Sequence, residues 1–142
     1  MFSGPIEDRF ALGELNASYG HAVSSHDLNA LGRLWAEDGL WTHPQYGTLR
    51  GLPSILTVLG AALNAYPLLV FMGHLGQLAV DGDEASGSVY VDEVVADMTG
   101  NASRVTGRYD DRYVRRDGRW LFAERHYRIR HVADIDPWQP DP

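Results

Sequence analysis

Between Leu68 and Val132 the chain carries four strand-like runs divided by Asp81-Gly82-Asp83, Thr99-Gly100-Asn101 and Arg116-Asp117-Gly118, all after an N-terminal third that reads as helix. Glycine, asparagine and aspartate tolerate the positive φ of tight hairpin turns, so these tripeptides predict an antiparallel meander over 68–80, 85–98, 102–115 and 119–131. Helices first and a meander second imply an α+β fold. The 142 residues suit one domain, with a core over about 6–132 and a polar, proline-rich tail from 133.

Three helices are expected ahead of the sheet. Pro5 opens the first, in which Ile6, Phe10, Leu12, Leu15, Tyr19, Ala22 and Val23 recur at near-helical spacing, and Ser24-Ser25 ends it. Asp27 is placed to cap a second helix that buries Leu28, Leu31, Leu34 and Trp35 and stops at Asp38-Gly39. Leu40 to His43 reads as a short strand, and Pro53 starts a third helix that Tyr66-Pro67 closes.

Composition narrows the function. A net charge of -7 argues against a nucleic-acid surface, and the basic cluster Arg112, Arg115, Arg116 and Arg119 is diluted by acids, so it reads as a solvated hairpin end. With no cysteine there is no thiolate ligand or nucleophile, and with no lysine there is neither a P-loop nor a Schiff base. The six histidines lack the spacing of a preformed metal site, so neither metal nor cofactor is expected. No secretory leader and no run near the roughly 20 apolar residues of a membrane span is visible, which makes the cytoplasm the expected location.

Long strands with glycines at 73, 76, 87 and 107 allow strong bending, and three helices against the concave side of such a sheet form a cone with an apolar pocket. On the run 85–98, Tyr90, Val94 and Met98 alternate with Val89, Val91 and Val95. Both faces are therefore apolar, and the outer one is expected to pack in a homodimer or homotrimer.

The order Glu14-Leu15 to Tyr19, Asp27 to Trp35, Glu37-Asp38-Gly39, Trp41, Gly51, Val80-Asp81-Gly82-Asp83, Gly107-x-Tyr109-x-Asp111 and Arg116-Asp117-Gly118-x-Trp120 to Arg125 resembles the SnoaL-like branch of the nuclear transport factor 2 (NTF2-like) superfamily. The resemblance spans roughly residues 6–130 and implies a cone of helices on a strongly bent mixed or antiparallel sheet. That branch includes polyketide cyclases, scytalone and bile-acid dehydratases, a dehydrochlorinase and γ-formaldehyde lyases, as well as non-catalytic members. Its enzymes commonly move a proton with a histidine on the first long strand and an aspartate at the end of the first helix.

Carried over by position, the aspartate falls on Ser24 and the histidine on Phe71, so the usual dyad is absent. His74, in Met72-Gly73-His74, becomes the candidate acid or base, provided that a bulge at Gly73 turns it inward. Tyr19 and Arg125 fall on pocket positions of related enzymes and complete the candidate catalytic set, while Tyr109 falls on a substrate-binding position. Ser24, Trp41, His43, Phe71 and His126 are further candidates for the substrate pocket. Asp92 and Glu93 are adjacent, so only one of them faces inward, where it could partner His74.

The resemblance implies a cofactor-independent lyase or isomerase, of the dehydratase or formaldehyde-lyase type, acting on a hydrophobic aromatic or polycyclic small molecule. A non-catalytic small-molecule-binding or assembly domain of the same fold is the alternative. A structural subunit like the β chain of ring-hydroxylating dioxygenases is a third.

Overall fold

The computed structural model describes residues 1–141. The elements run β1 (Phe2–Ser3), α1 (Ile6–Ser24), α2 (Leu28–Gly32), β2 (Trp35–His43), β3 (Gly47–Arg50), α3 (Leu52–Ala65), β4 (Leu68–Asp81), β5 (Glu84–Ala96), β6 (Ala102–Arg116) and β7 (Arg119–Ile135). The strands form one mixed sheet in the order β1-β4-β5-β6-β7-β2-β3. β4 to β7 are the expected antiparallel meander, whereas β1 joins β4 and β2 joins β7 in parallel. No helix among the described residues is long and apolar enough to cross a membrane.

α1 lies on the concave face because Leu12, Leu15, Tyr19, Ala22 and Val23 form one stripe. Ile6 and Phe10, expected in that stripe, are both 69% exposed. Phe10 lies two residues, roughly 200°, around the helix from Leu12 and so faces water. At its C-terminal end α1 touches β4: Ser24 Oγ accepts from Phe71 N at 2.9 Å, and a Cβ at Gly20 would stand 3.1 Å from the Phe71 carbonyl oxygen.

The second helix is much shorter than its sequence predicts. Asp27 caps it as expected, accepting from Ala30 N at 2.9 Å, but it ends at Gly32 and Trp35 already belongs to β2. Long-range pairing overrides local helical periodicity here, since Phe122 N donates to Leu34 O at 2.8 Å and Trp35 registers against Phe122. The strand also absorbs Glu37-Asp38-Gly39 as an irregularity between Trp35 and Leu40.

Bulges curl the sheet without closing it, at Leu75/Gln77, Thr106/Gly107 and Arg112/Tyr113. At Gly107 an added Cβ would stand 2.5 Å from the Tyr127 hydroxyl, so only glycine lets that ring lie across β6. The β4–β5 turn uses Gly82 at φ 63°. In the β5–β6 turn, Asp97 Oδ1 accepts from Thr99 N, Thr99 Oγ1 and Asn101 N. The tail after β7 returns to this turn, where Trp138 N donates to Gly100 O.

The basic cluster is more than a solvated hairpin end. Arg115 pairs with Asp8 of α1 at 2.6 Å and with Asp83 at 2.9 Å, its guanidinium 5.0 Å from the Trp120 ring, and Arg116 pairs with Asp38. These contacts tie the β6–β7 hairpin to α1, β2 and the β4–β5 turn. On β5, Val89 and Val91 are buried while Tyr90 is 45% exposed, so the alternation does orient the strand.

Candidate functional site

Helices and curled sheet enclose a cavity of about 400 Å³. Tyr19 enters it from α1, Trp41 and His43 from β2, Leu59 and Leu63 from α3, Phe71 from β4, Glu93 from β5, Tyr109 from β6 and Tyr127 from β7. Gln45, Tyr46, Asp97, Asn101 and Ser103 add to its lining. Aromatic rings dominate the wall: Tyr19 meets Phe71, Tyr109 and Phe122 edge-on, while Tyr109, Tyr127, His43 and Tyr46 follow one another at centroid spacings of 4.6, 5.1 and 4.7 Å.

Of the nine residues expected in the pocket, five line it: Tyr19, Tyr109, Trp41, His43 and Phe71. Trp41 Nε1 donates to the Tyr109 hydroxyl at 3.2 Å, which leaves the Tyr109 proton free to be donated onward. Burial raises the pKa of Tyr19, offset in part by the Arg125 charge and by the neighbouring Tyr109 hydroxyl. Tyr109 is pushed up further, again chiefly by burial.

Four other expected pocket residues lie elsewhere. His74 is on the outer face, exposed and registered against Tyr90, because three residues from the inward-facing Phe71 is an odd step and the bulge comes only after Leu75. His126, adjacent to inward-facing Tyr127, also faces outward and bonds Thr42 Oγ1 through Nδ1 at 2.9 Å. Ser24 fastens α1 to the Phe71 backbone instead of lining the cavity.

Arg125 does point inward but sits behind the wall. It is 1% exposed, and its Nε and Nη2 donate to Asp111 at 2.9 and 3.0 Å. Its guanidinium carbon lies 4.4, 3.8 and 4.2 Å from the ring centroids of Tyr19, Tyr109 and Phe122. Tyr113 donates to Asp111 at 2.8 Å and receives from Asn16 at 3.1 Å. Burial works against the Arg125 charge, yet Asp111, with Tyr109 and Tyr19 adding to it, more than offsets that cost and holds the guanidinium charged.

Glu93 is the inward member of the Asp92–Glu93 pair, facing Phe71 across the β4–β5 ladder, and Asp92 pairs outside with Arg104 at 2.6 Å. Burial pushes the Glu93 pKa up to about 7, and no partner among the described residues holds it down. Its charge reaches Tyr19, Tyr46, Tyr109 and Tyr127, raising the pKa of each. The sequence expectation made this carboxylate a partner of His74; the two stand on opposite faces of the sheet. The signal for its orientation was present in the alternation Val89, Val91, Glu93, Val95. Among the described residues no three carboxylate or imidazole groups gather as metal ligands do.

The sequence pattern of the SnoaL-like domain matches residues 5–126. The chain belongs to the SnoaL-like family. No curated protein sequence matches it. Among solved structures it is similar to a type 2 hexachlorocyclohexane dehydrochlorinase LinA, at 23% identity and TM-score 0.85 over 96% of this chain and 95% of that one. A LinA-type3 dehydrochlorinase from Novosphingobium barchaimii gives 22% identity and TM-score 0.83, covering 96% of each chain. A Mycobacterium tuberculosis protein of unknown function gives 24% and 0.78, over 89% of this chain and 78% of that one. These likenesses establish the fold of this SnoaL-like domain.

Proposed function

We propose that this SnoaL-like protein is a cofactor-independent lyase or isomerase that moves a proton on a hydrophobic, ring-containing small molecule. The observation that carries the reading is Glu93: a carboxyl group with a pKa of about 7, facing a largely aromatic and aliphatic cavity beside the phenols of Tyr19 and Tyr109. A carboxylate poised near neutral pH is a workable base, and burial among rings sharpens any charge it meets.

In this mechanism Glu93 takes a proton from a carbon next to a carbonyl, and the C–H electron pair moves into an enolate. Tyr109, whose acceptor side is occupied by Trp41, donates to the developing oxyanion, and Tyr19 stands beside it. Glu93 then returns the proton to another carbon, which is an isomerisation, or protonates a departing hydroxide, which is a dehydration. Arg125 touches no substrate; it is a positioning residue that packs both phenol rings and places positive charge behind them. His74 and His126 have no part in this scheme.

The test is exchange of the α-protons of 2-tetralone in D2O, followed by proton NMR, with wild type and Glu93→Gln. Exchange catalysed by wild type and lost in the variant is expected. Equal exchange by both proteins, or none above buffer by either, removes Glu93 from the mechanism.

A binding domain without catalysis is the second reading, favoured by the use of Ser24 and Phe71 as a helix–sheet fastening where a dyad would stand. It predicts saturable binding of tetralone with no exchange. A homodimer or homotrimer through the outer sheet face, where Val70, Met72 and Tyr90 are exposed, is proposed as well and is tested by light scattering.

A further inference from the structure

His43 has a fixed proton. Its Nδ1 accepts from the backbone N–H of Gln45 at 3.1 Å, and a ring nitrogen that accepts carries no hydrogen. Burial lowers its pKa to about 4, so the ring is neutral at ordinary pH and its one proton is on Nε2. Tyr127 stacks on the imidazole at a 30° interplanar angle, and Tyr46 lies 4.7 Å away at 35°. Nε2–H has no hydrogen-bond partner among the described residues, and the side chain lines the cavity.

The charges around the cavity are all of one sign. Its ionisable carboxylates are Glu93 and Asp97, the latter bound to Thr99 and Asn101, and among its described lining residues there is no arginine. The one buried cation nearby, Arg125, is held by Asp111 behind the rings of Tyr19 and Tyr109. An anionic guest would meet Glu93 with no counter-charge, whereas an uncharged oxygen meets a ready donor.

We infer that His43 is a specificity-determining residue whose Nε2–H receives a carbonyl, hydroxyl or ether oxygen, so that the cavity selects uncharged oxygen-bearing ring compounds and rejects carboxylates. The inference rests on the cavity reading above and names the substrate class. Its two parts are the donor at His43 and the unbalanced negative charge of Glu93.

Calorimetric titration at pH 8 with three probes of one skeleton tests it: 2-tetralone, tetralin and 1,2,3,4-tetrahydro-2-naphthoate. For wild type, tetralone should bind about tenfold more tightly than tetralin, one neutral hydrogen bond's worth. The naphthoate should bind at least about a hundredfold more weakly than tetralone. His43→Phe keeps the aromatic stack and should cut the tetralone advantage several-fold, to what the Tyr109 hydroxyl alone supplies, its binding of tetralin showing that the cavity is intact. His43→Gln, which retains an N–H donor, should restore part of it, and Glu93→Gln should admit the naphthoate. A tetralone advantage undiminished in His43→Phe overturns the inference. So does naphthoate binding to wild type as well as tetralone, or failure of all three probes to bind. Selective binding without proton exchange would leave this inference standing and remove the catalytic reading, so the two fail separately.

Discussion

The Arg125 guanidinium lies 3.8 Å from the centroid of the Tyr109 ring while two of its nitrogens hold the Asp111 carboxylate. A buried ion pair of this kind is costly to break from one side, because the survivor is left charged in a poorly solvating interior. Arg125→Met should therefore destabilise the fold by about 3–5 kcal/mol, whereas the double replacement Arg125→Met with Asp111→Leu should recover much of that loss. Urea unfolding of both variants and wild type measures the difference. Equal losses in the two would show that packing of the side chain, and not its charge, matters most.

Glu93 gives stability a distinctive pH dependence. Its folded pKa, about 7, lies above the ordinary 4.5, so between those values the folded chain binds the extra proton. Its contribution is then fully present below about pH 4.5, declines as pH rises, and is gone above about pH 7. The separation corresponds to at most about 3 kcal/mol. Glu93→Gln should gain stability over wild type at pH 8 and lose that advantage near pH 4.5. Unfolding midpoints across this range test the sign, and an advantage independent of pH would contradict it.

The two phenols should differ in what they cost. Tyr19→Phe and Tyr109→Phe should each slow tetralone exchange, and Tyr109→Phe the more, by about a hundredfold. Tyr109→Phe also deprives the buried Trp41 Nε1 of its acceptor, which should cost about 1–3 kcal/mol of stability. Initial exchange rates and melting of the same samples separate these effects; full activity in Tyr109→Phe would exclude its hydroxyl from the chemistry.

His74→Ala should leave exchange and tetralone affinity at wild-type values, because this side chain is on the other face of the sheet from Glu93. A tenfold loss with the fold intact would return His74 to the site.

The helices and hairpins show how far local patterns reach. Gly82, Asp97 and Asp27 each act locally, by turn conformation or by capping, and the turns and the helix start they set stand where their neighbours in the chain imply. Trp35 shows the limit. It fits a helical period, yet parallel pairing with β7 draws it into a strand, whereas Phe10 lies off the buried stripe of α1 by helix geometry alone.

The chain order by itself determined the α+β meander and the absence of thiol or lysine chemistry, since residue type and short-range turn geometry set these. Only the tertiary structure decided which groups share the cavity. A strand reverses the facing of its side chains at every residue, and a bulge moved by one position exchanges inside for outside. That step put His74 outside and Glu93 inside. Long-range contacts then made Arg125 a buried support for Tyr19 and Tyr109, a role that depends on Asp111 lying beside it across β6 and β7.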